Sequence, residues 1–167
     1  MSFRLREIAG VISTDDIIPG RYKHMHADPD KLAAHVFENR FPGMAATFRE
    51  GDAIWCDATF GIGSSREQAA TSLLAAGVRL VIAPGFGRIF FRNAWNVGLR
   101  LIALPRPDQP VEGQSVSVDW ERGVLFAEAG PQEFTPPPER ILRIADAGGL
   151  LLWVRQSADP ATIEGVV

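Results

Sequence analysis

Two hydroxyls and a guanidinium stand side by side in Phe60-Gly61-Ile62-Gly63-Ser64-Ser65-Arg66-Glu67. They are the residues of this chain best suited to chemistry. A guanidinium offers a planar fork of donors that matches a carboxylate. A serine hydroxyl is a useful base only where its alkoxide is stabilised, and a helix N-terminus beside a cation supplies that stabilisation. The neighbouring sequence provides such a frame. Ala53 to Ala58 reads as a buried strand, and Glu67 to Ala76 carries Ala69, Ala70, Leu73 and Leu74 at helical spacing. A strand, a glycine-rich turn and a helix start leave backbone N–H groups pointing outward. On this reading the octapeptide is the carboxylate-binding and proton-moving end of an active site. A purely structural reading stands beside it, with Ser64 as N-cap and Glu67 completing a capping box. Gly61 and Gly63 then only permit a sharp turn. The two readings are compatible, because a capped helix end can still receive an anion.

A second polar stretch precedes the first by some forty residues. Ser13-Thr14-Asp15-Asp16 is suited to a tight turn, and Pro19-Gly20 to another. Arg21, Tyr22, Lys23, His24 and His26 follow within six residues, on what reads as a loop from Lys23. They would suit a polyanionic small molecule, or equally a solvated surface. His24 and His26 would share a face if extended, but a metal site needs more ligands than they supply. Cys56 is the single cysteine and lies in the apolar run Ile54-Trp55-Cys56. It reads as a small buried hydrophobe that can form no internal disulfide and cannot alone hold zinc or an iron–sulfur cluster.

The totals bound the class. A chain of 167 residues, 46% hydrophobic and 22% charged, suits one globular domain with a proper core. A net charge of −3 without a basic block gives nucleic-acid binding no support. No apolar run approaches a membrane span, and Met1-Ser2-Phe3-Arg4-Leu5-Arg6 lacks a signal-peptide core, so a cytoplasmic protein is the default.

The elements that must position these residues follow from the pattern. A first strand is expected over Leu5 to Ile12. A helix capped by Asp28, with Pro29 in its first turn, is expected to run to about Glu38. After the helix from Glu67, Gly77 acts as C-cap, and Leu80-Val81-Ile82-Ala83 is a wholly apolar strand of the kind buried in a parallel sheet. A second helix, Ile89 to Asn96, closes at Gly98, and Leu99 to Leu104 is a further strand. Gly85-Phe86-Gly87 invites a dinucleotide-binding reading, but the third glycine position is Phe90 and no acid ends the next strand. Ser115 to Asp119 and Val124 to Ala127 read as a hairpin, and Glu139 to Ala147 as a last helix. Leu150 to Val154 follows Gly148-Gly149. The domain is expected over residues 1–156, with 157–167 a disordered tail.

Taken in order, these pieces resemble the small-subunit family of 3-isopropylmalate dehydratase and homoaconitase, equivalent to the swivelling domain of aconitase. The resemblance rests on Ser13 to Tyr22, on Phe60 to Glu67, on Phe86-Gly87-Arg88-Ile89-Phe90-Phe91-Arg92-Asn93 with Gly98-Leu99, and on Ile144 to Leu150. It implies an α/β chain with the three-layer β/β/α swivelling fold of the aconitase C-terminal type. It also implies a hydro-lyase that dehydrates and rehydrates a malate-type hydroxy-polycarboxylate. A large partner subunit would carry a [4Fe–4S] cluster on three cysteines, in a heterodimer or heterotetramer, and this chain would bind no cofactor or metal itself. Carried onto this sequence, Ser64 is the base for the carbon-bound proton, and Ser65 and Arg66 bind a substrate carboxylate. Asp15 sits at the subunit junction and supports catalytic groups. Lys23 and His24 fall in the substrate-selecting loop, with His24 where the homoaconitase version carries arginine.

Departures from the family pattern are Ile62 for a common cysteine, Gln68 for a common histidine, and Gly85 and Gly87 for the usual serine and alanine. A 3-isopropylmalate dehydratase small subunit is the leading reading. The alternatives are a homoaconitase or dimethylmalate-type dehydratase subunit, or a non-catalytic anion-binding module.

Overall fold

The strand Asp52–Cys56 is buried at every position, and its side chains divide between two cores. Ala53 and Trp55 face one side, and Ile54 and Cys56 the other. That is the period of a strand covered on both faces. A computed structural model of the chain describes residues 1–24, 28–63, 66–104 and 112–158, without the side chains of Lys23 and His24. In chain order the strands are β1 (Ser2–Ile8), β2 (Ile12–Ser13), β3 (Asp52–Cys56), β4 (Phe60–Ile62), β5 (Val78–Ala83), β6 (Arg100–Ala103), β7 (Ser115–Asp119), β8 (Val124–Ala127) and β9 (Gly130–Glu133). The α-helices are α1 (Thr14–Ile17), α2 (Pro29–Ala33), α3 (Glu67–Ala75), α4 (Arg88–Val97), α5 (Glu139–Asp146) and α6 (Leu150–Ser157).

Seven strands form one sheet in the order β6-β5-β3-β1-β7-β8-β9. The β6, β5, β3 and β1 neighbours run parallel, and β7, β8 and β9 continue antiparallel. One face, through Ile8, Ile54, Val81 and Leu101, packs against α3 and α4 through Ala70, Leu73, Phe90 and Ala94. On the other face, Leu5, Trp55, Leu80 and Ile82 share a core with Val116, Val118 and Leu125 of the antiparallel half. The sheet therefore coils over its own back, and the expected β/β/α layering results. The βαβ run through α3 and the β7–β8 hairpin lie where the pattern puts them. The glycines after α3 and α4 have left-handed backbones (Gly77 φ +100°, Gly98 φ +92°), as helix-terminating glycines do.

Five boundaries differ. The expected strand from Leu5 to Ile12 is two strands, β1 and β2, broken around Gly10. The run Ala53 to Ala58 ends at Cys56, and Phe60–Ile62 forms a separate two-stranded sheet with β2. The helix expected to Glu38 stops at Ala33, and the chain then turns repeatedly. Phe37 takes a left-handed φ of +61° that no helix accommodates, fixed by its N–H on Ile17 O at 2.9 Å and by full burial. The stretch read as a loop from Lys23 lies, up to His24, in a 3₁₀ turn, Gly20–His24. Ser157 belongs to α6, and of the expected disordered tail, residues 159–167 lie outside the described residues.

Candidate active site

The two polar stretches meet beyond the C-terminal ends of the parallel strands, where open α/β sheets place ligands. An isolated bridge between Phe60 and Phe86 ties their loops together. Phe60 N–H donates to Gly85 O and Gly87 N–H to Phe60 O, each at 2.9 Å. A Cβ on Gly87 would lie 2.2 Å from Gly61 O, and one on Gly61 would strike the Phe90 ring at 2.3 Å. Those two glycines are required by backbone approach. Gly85-Phe86-Gly87 is thus accounted for by loop packing and not by a dinucleotide.

α1 presents the first acidic group. Ser13 caps it with a capping box: Asp16 N–H donates to Ser13 Oγ at 3.0 Å, and Ser13 N–H donates to Asp16 Oδ2 at 2.7 Å. Burial pushes the Asp16 carboxyl up, but the Ser13 hydroxyl and N–H and the Arg40 guanidinium outweigh it and hold that carboxyl below its ordinary value. Asp15, beside it, is left 59% exposed. Arg66 Nη1 donates to Asp15 Oδ1 and, at 3.3 Å, to Ile18 O. The Arg66 side chain is only 14% exposed, and its Nε–H is buried without an acceptor among the described residues. A Cβ on Gly20 would sit 3.5 Å from both Asp15 Oδ1 and Arg66 Nη2, so the 3₁₀ turn starts directly on this ion pair.

The result is a guanidinium with Nη1 committed to two acceptors and, among the described residues, one donor unsatisfied. A buried unpaired donor costs ~1–3 kcal/mol. An acceptor brought against that donor would recover this cost, and a carboxylate would make the hydrogen bond charge-assisted. The structure therefore brings Asp15 and Arg66 together. Ser64 and Ser65 lie outside the described residues, between Gly63 and Arg66, and Lys23 and His24 are placed by backbone alone. A Cβ on Gly63 would lie 3.4 Å from Thr14 Oγ1, so the glycine-rich turn runs alongside α1.

One expectation is corrected. α3 begins at Glu67 with Arg66 at the N-cap and no side-chain cap. Glu67 is therefore the first helical residue and not the third after a cap at position 64, as the expected capping box requires. The box is at Ser13–Asp16, whose spacing carries the same signal. Sequence reasoning missed the Ile18 carbonyl as a partner of Arg66, and no side-chain pattern could have shown it. Cys56 is fully buried, its thiol donates to Gly10 O at 3.4 Å, and burial pushes its pKa up, as befits a core residue. Among the described residues no three of His, Cys, Asp and Glu converge as a metal site, and no helix is long and apolar enough to cross a membrane.

Residues 11–107 match the family model of the aconitase C-terminal domain. The chain is 39% identical over 152 residues to 3-isopropylmalate dehydratase small subunit 1 of Archaeoglobus fulgidus, covering 90% of this chain and 94% of the relative. It is 43% identical over 157 residues to the corresponding subunit 1 of Methanopyrus kandleri, covering 92% and 91%. A crystal structure of 3-isopropylmalate dehydratase from Methanocaldococcus jannaschii matches with a TM-score of 0.85 at 32% identity, over 99% of this chain and 100% of that one.

Proposed function

This chain belongs to the aconitase C-terminal domain family, and from that premise we propose that it is the small subunit of a two-subunit 3-isopropylmalate dehydratase. Such a hydro-lyase moves a hydroxyl between neighbouring carbons of a malate-type acid by dehydration and rehydration. The observation that carries the reading is Arg66, held by Asp15 and the Ile18 carbonyl, with an Nε–H that finds no acceptor among the described residues. On this reading Arg66, with Ser65, binds a substrate carboxylate. Asp15 keeps the guanidinium oriented, and Ser64 takes the carbon-bound proton as an alkoxide stabilised by the neighbouring positive charge. On the same reading Lys23 and His24, which belong to the turn that starts at Gly20, select between one malate derivative and another.

The lone, buried Cys56 cannot supply the thiolates of an iron–sulfur cluster. We assign the [4Fe–4S] cluster to a large partner subunit, where its iron supplies the Lewis acid for the departing hydroxyl. The active enzyme is a cytoplasmic heterodimer or heterotetramer. Anaerobic co-expression with a cluster-bearing large subunit tests this. The purified chain alone should contain no iron and show no turnover, and the reconstituted pair should dehydrate 3-isopropylmalate. Turnover by the isolated chain, or none in a cluster-loaded complex, would overturn the reading.

A further inference from the structure

The 3₁₀ turn Gly20–His24 is fastened by side chains that the reaction itself does not use. The Tyr22 ring lies on the His35 imidazole, with centroids 3.9 Å apart and planes at 14°. The Arg21 guanidinium also lies over the Tyr22 ring, at 4.8 Å from its centroid. Arg21 reaches Glu38 at 3.3 Å and Asn39 Oδ1 at 2.9 Å. His35 Nδ1 and Glu38 Oε2 are 2.9 Å apart. Two residues of the turn thus meet three residues of the segment that follows α2. That segment is itself held rigidly. Phe37 has a left-handed φ, full burial, an N–H on Ile17 O, and ring contacts with Phe41, Phe48 and Phe60. A bulky residue keeps such a backbone only where its surroundings over-determine it, and such positions cluster at functional sites. The Tyr22 hydroxyl, with His35 and Arg21 adding to it against a desolvation cost, holds the Glu38 carboxyl below its ordinary range.

We infer that His35 and Glu38, presented by the bend at Phe37, form a clamp that positions the turn carrying Lys23 and His24 over the Asp15–Arg66 pair, with His35 as the positioning residue. This rests on the reading of that turn as the substrate-selecting element. The turn has one end on the ion pair at Gly20 and its middle on His35 at Tyr22. Releasing the middle therefore moves the two residues beyond it relative to Arg66, without touching Arg66.

Tyr22 is the only tyrosine in the chain, so selective tyrosine labelling gives a single ring system to follow by NMR. In the full chain, His35→Ala should move the Tyr22 resonances to random-coil positions and leave the α3 amides unmoved. His35→Phe, which keeps a stacking ring, should restore most of the shift. In the reconstituted enzyme, His35→Ala should change the ratio of kcat/KM for 3-isopropylmalate and a carboxylated homologue by roughly 2- to 10-fold, the worth of one aromatic pair. The change should appear in KM and not in kcat, with partial return in His35→Phe. Should His35→Ala fail to fold, Glu38→Gln tests the same clamp, with the same direction and a smaller change. Unmoved Tyr22 resonances overturn the clamp. Moved resonances with a ratio that responds to His24→Val but not to His35→Ala overturn the positioning role and leave the selecting turn intact. A ratio that responds to neither variant removes the selecting turn and the inference with it.

Discussion

Two carboxylate–arginine pairs mark the two ends of the parallel strands, and they are built to opposite standards. At the start of β3, Asp52 is 1% exposed. It receives Arg4 Nε and Nη2 at 2.7 Å each and the Arg49 N–H at 2.9 Å, with Arg6 Nη1 at 3.8 Å. Both oxygens are bonded within the protein, and the carboxylate is closed off from solvent. Beyond the strands' other ends, Asp15 is largely in solvent and the buried Arg66 Nε has no acceptor among the described residues. A buried charge is costly unless fully paired. Asp52 therefore reads as scaffold. Arg66 is less buried than Asp52 (14% against 1% of the side chain exposed), and its partner Asp15 is open to solvent. Its Nε, like that of Arg100, has no acceptor among the described residues, so Arg66 is less completely tied into the scaffold.

The largest effect separates chemistry from scaffold. Ser64→Ala should lower kcat by ~10²–10⁴-fold, the usual contribution of a general base. Its melting temperature should stay that of wild type, because the α3 cap is Arg66. Calorimetry and steady-state kinetics of the reconstituted enzyme check this. A stability loss of the size of a missing cap, ~0.5–2 kcal/mol, with kcat intact, would return Ser64 to a structural role.

Asp52→Ala is the mirror experiment. Removing one member of a buried pair costs ~3–5 kcal/mol, and here the low end is expected because Arg4 keeps partial access to water. For a domain of this size that corresponds to a fall in Tm of roughly 6–12 °C. The fraction that remains folded should keep wild-type KM. Thermal unfolding with active-site titration measures both, and a KM change without a Tm change would erase the distinction between the two ends.

Arg66→Lys should cost about 1.5–3 kcal/mol of transition-state binding, roughly 10- to 150-fold in kcat/KM, because an ammonium cannot reproduce the fork. The pair is open to solvent at Asp15, so little stability is at stake. A large Tm shift with unchanged kinetics would move Arg66 to the scaffold.

The smallest effect sharpens the comparison beside the site. The folded Asp16 carboxyl sits below its ordinary value of 3.8. Its contribution to stability is complete above that value and is lost as pH falls through the depressed folded value. The urea midpoints of wild type and Asp16→Asn should therefore differ most at neutral pH and converge in strong acid. A difference that is constant with pH would show that the Ser13–Asp16 box works without the charge.

Much of this architecture is legible in a linear reading because its cause is local. The apolar runs of β3, β5 and β6, the glycines after α3 and α4, and the β7–β8 hairpin each reflect periodicity or turn chemistry within about ten residues. Where a long-range contact decides, the reading fails. Ala34 to Glu38 has acceptable helical letters, but Phe37 is drawn into the core and onto Ile17 O, and the helix ends. Phe60–Ile62 looks like plain turn until β2 arrives to pair with it.

The site divides in the same way. Residue types and order alone mark Phe60 to Glu67 and Ser13 to Tyr22 as the chemical stretches, since a guanidinium, hydroxyls and turn-forming glycines carry their chemistry wherever the chain places them. That Arg66 is gripped by Asp15, 51 residues away, is decided only by the tertiary fold. The parallel pairing of β2 with β4 sets α1 beside the start of α3, and hydrophobic periodicity encodes which residues are buried but not which strands become neighbours. The Arg66 donor left without an acceptor among the described residues has the same origin: a donor is unsatisfied only with respect to everything packed around it, and that inventory exists once the sheet has closed on both its cores.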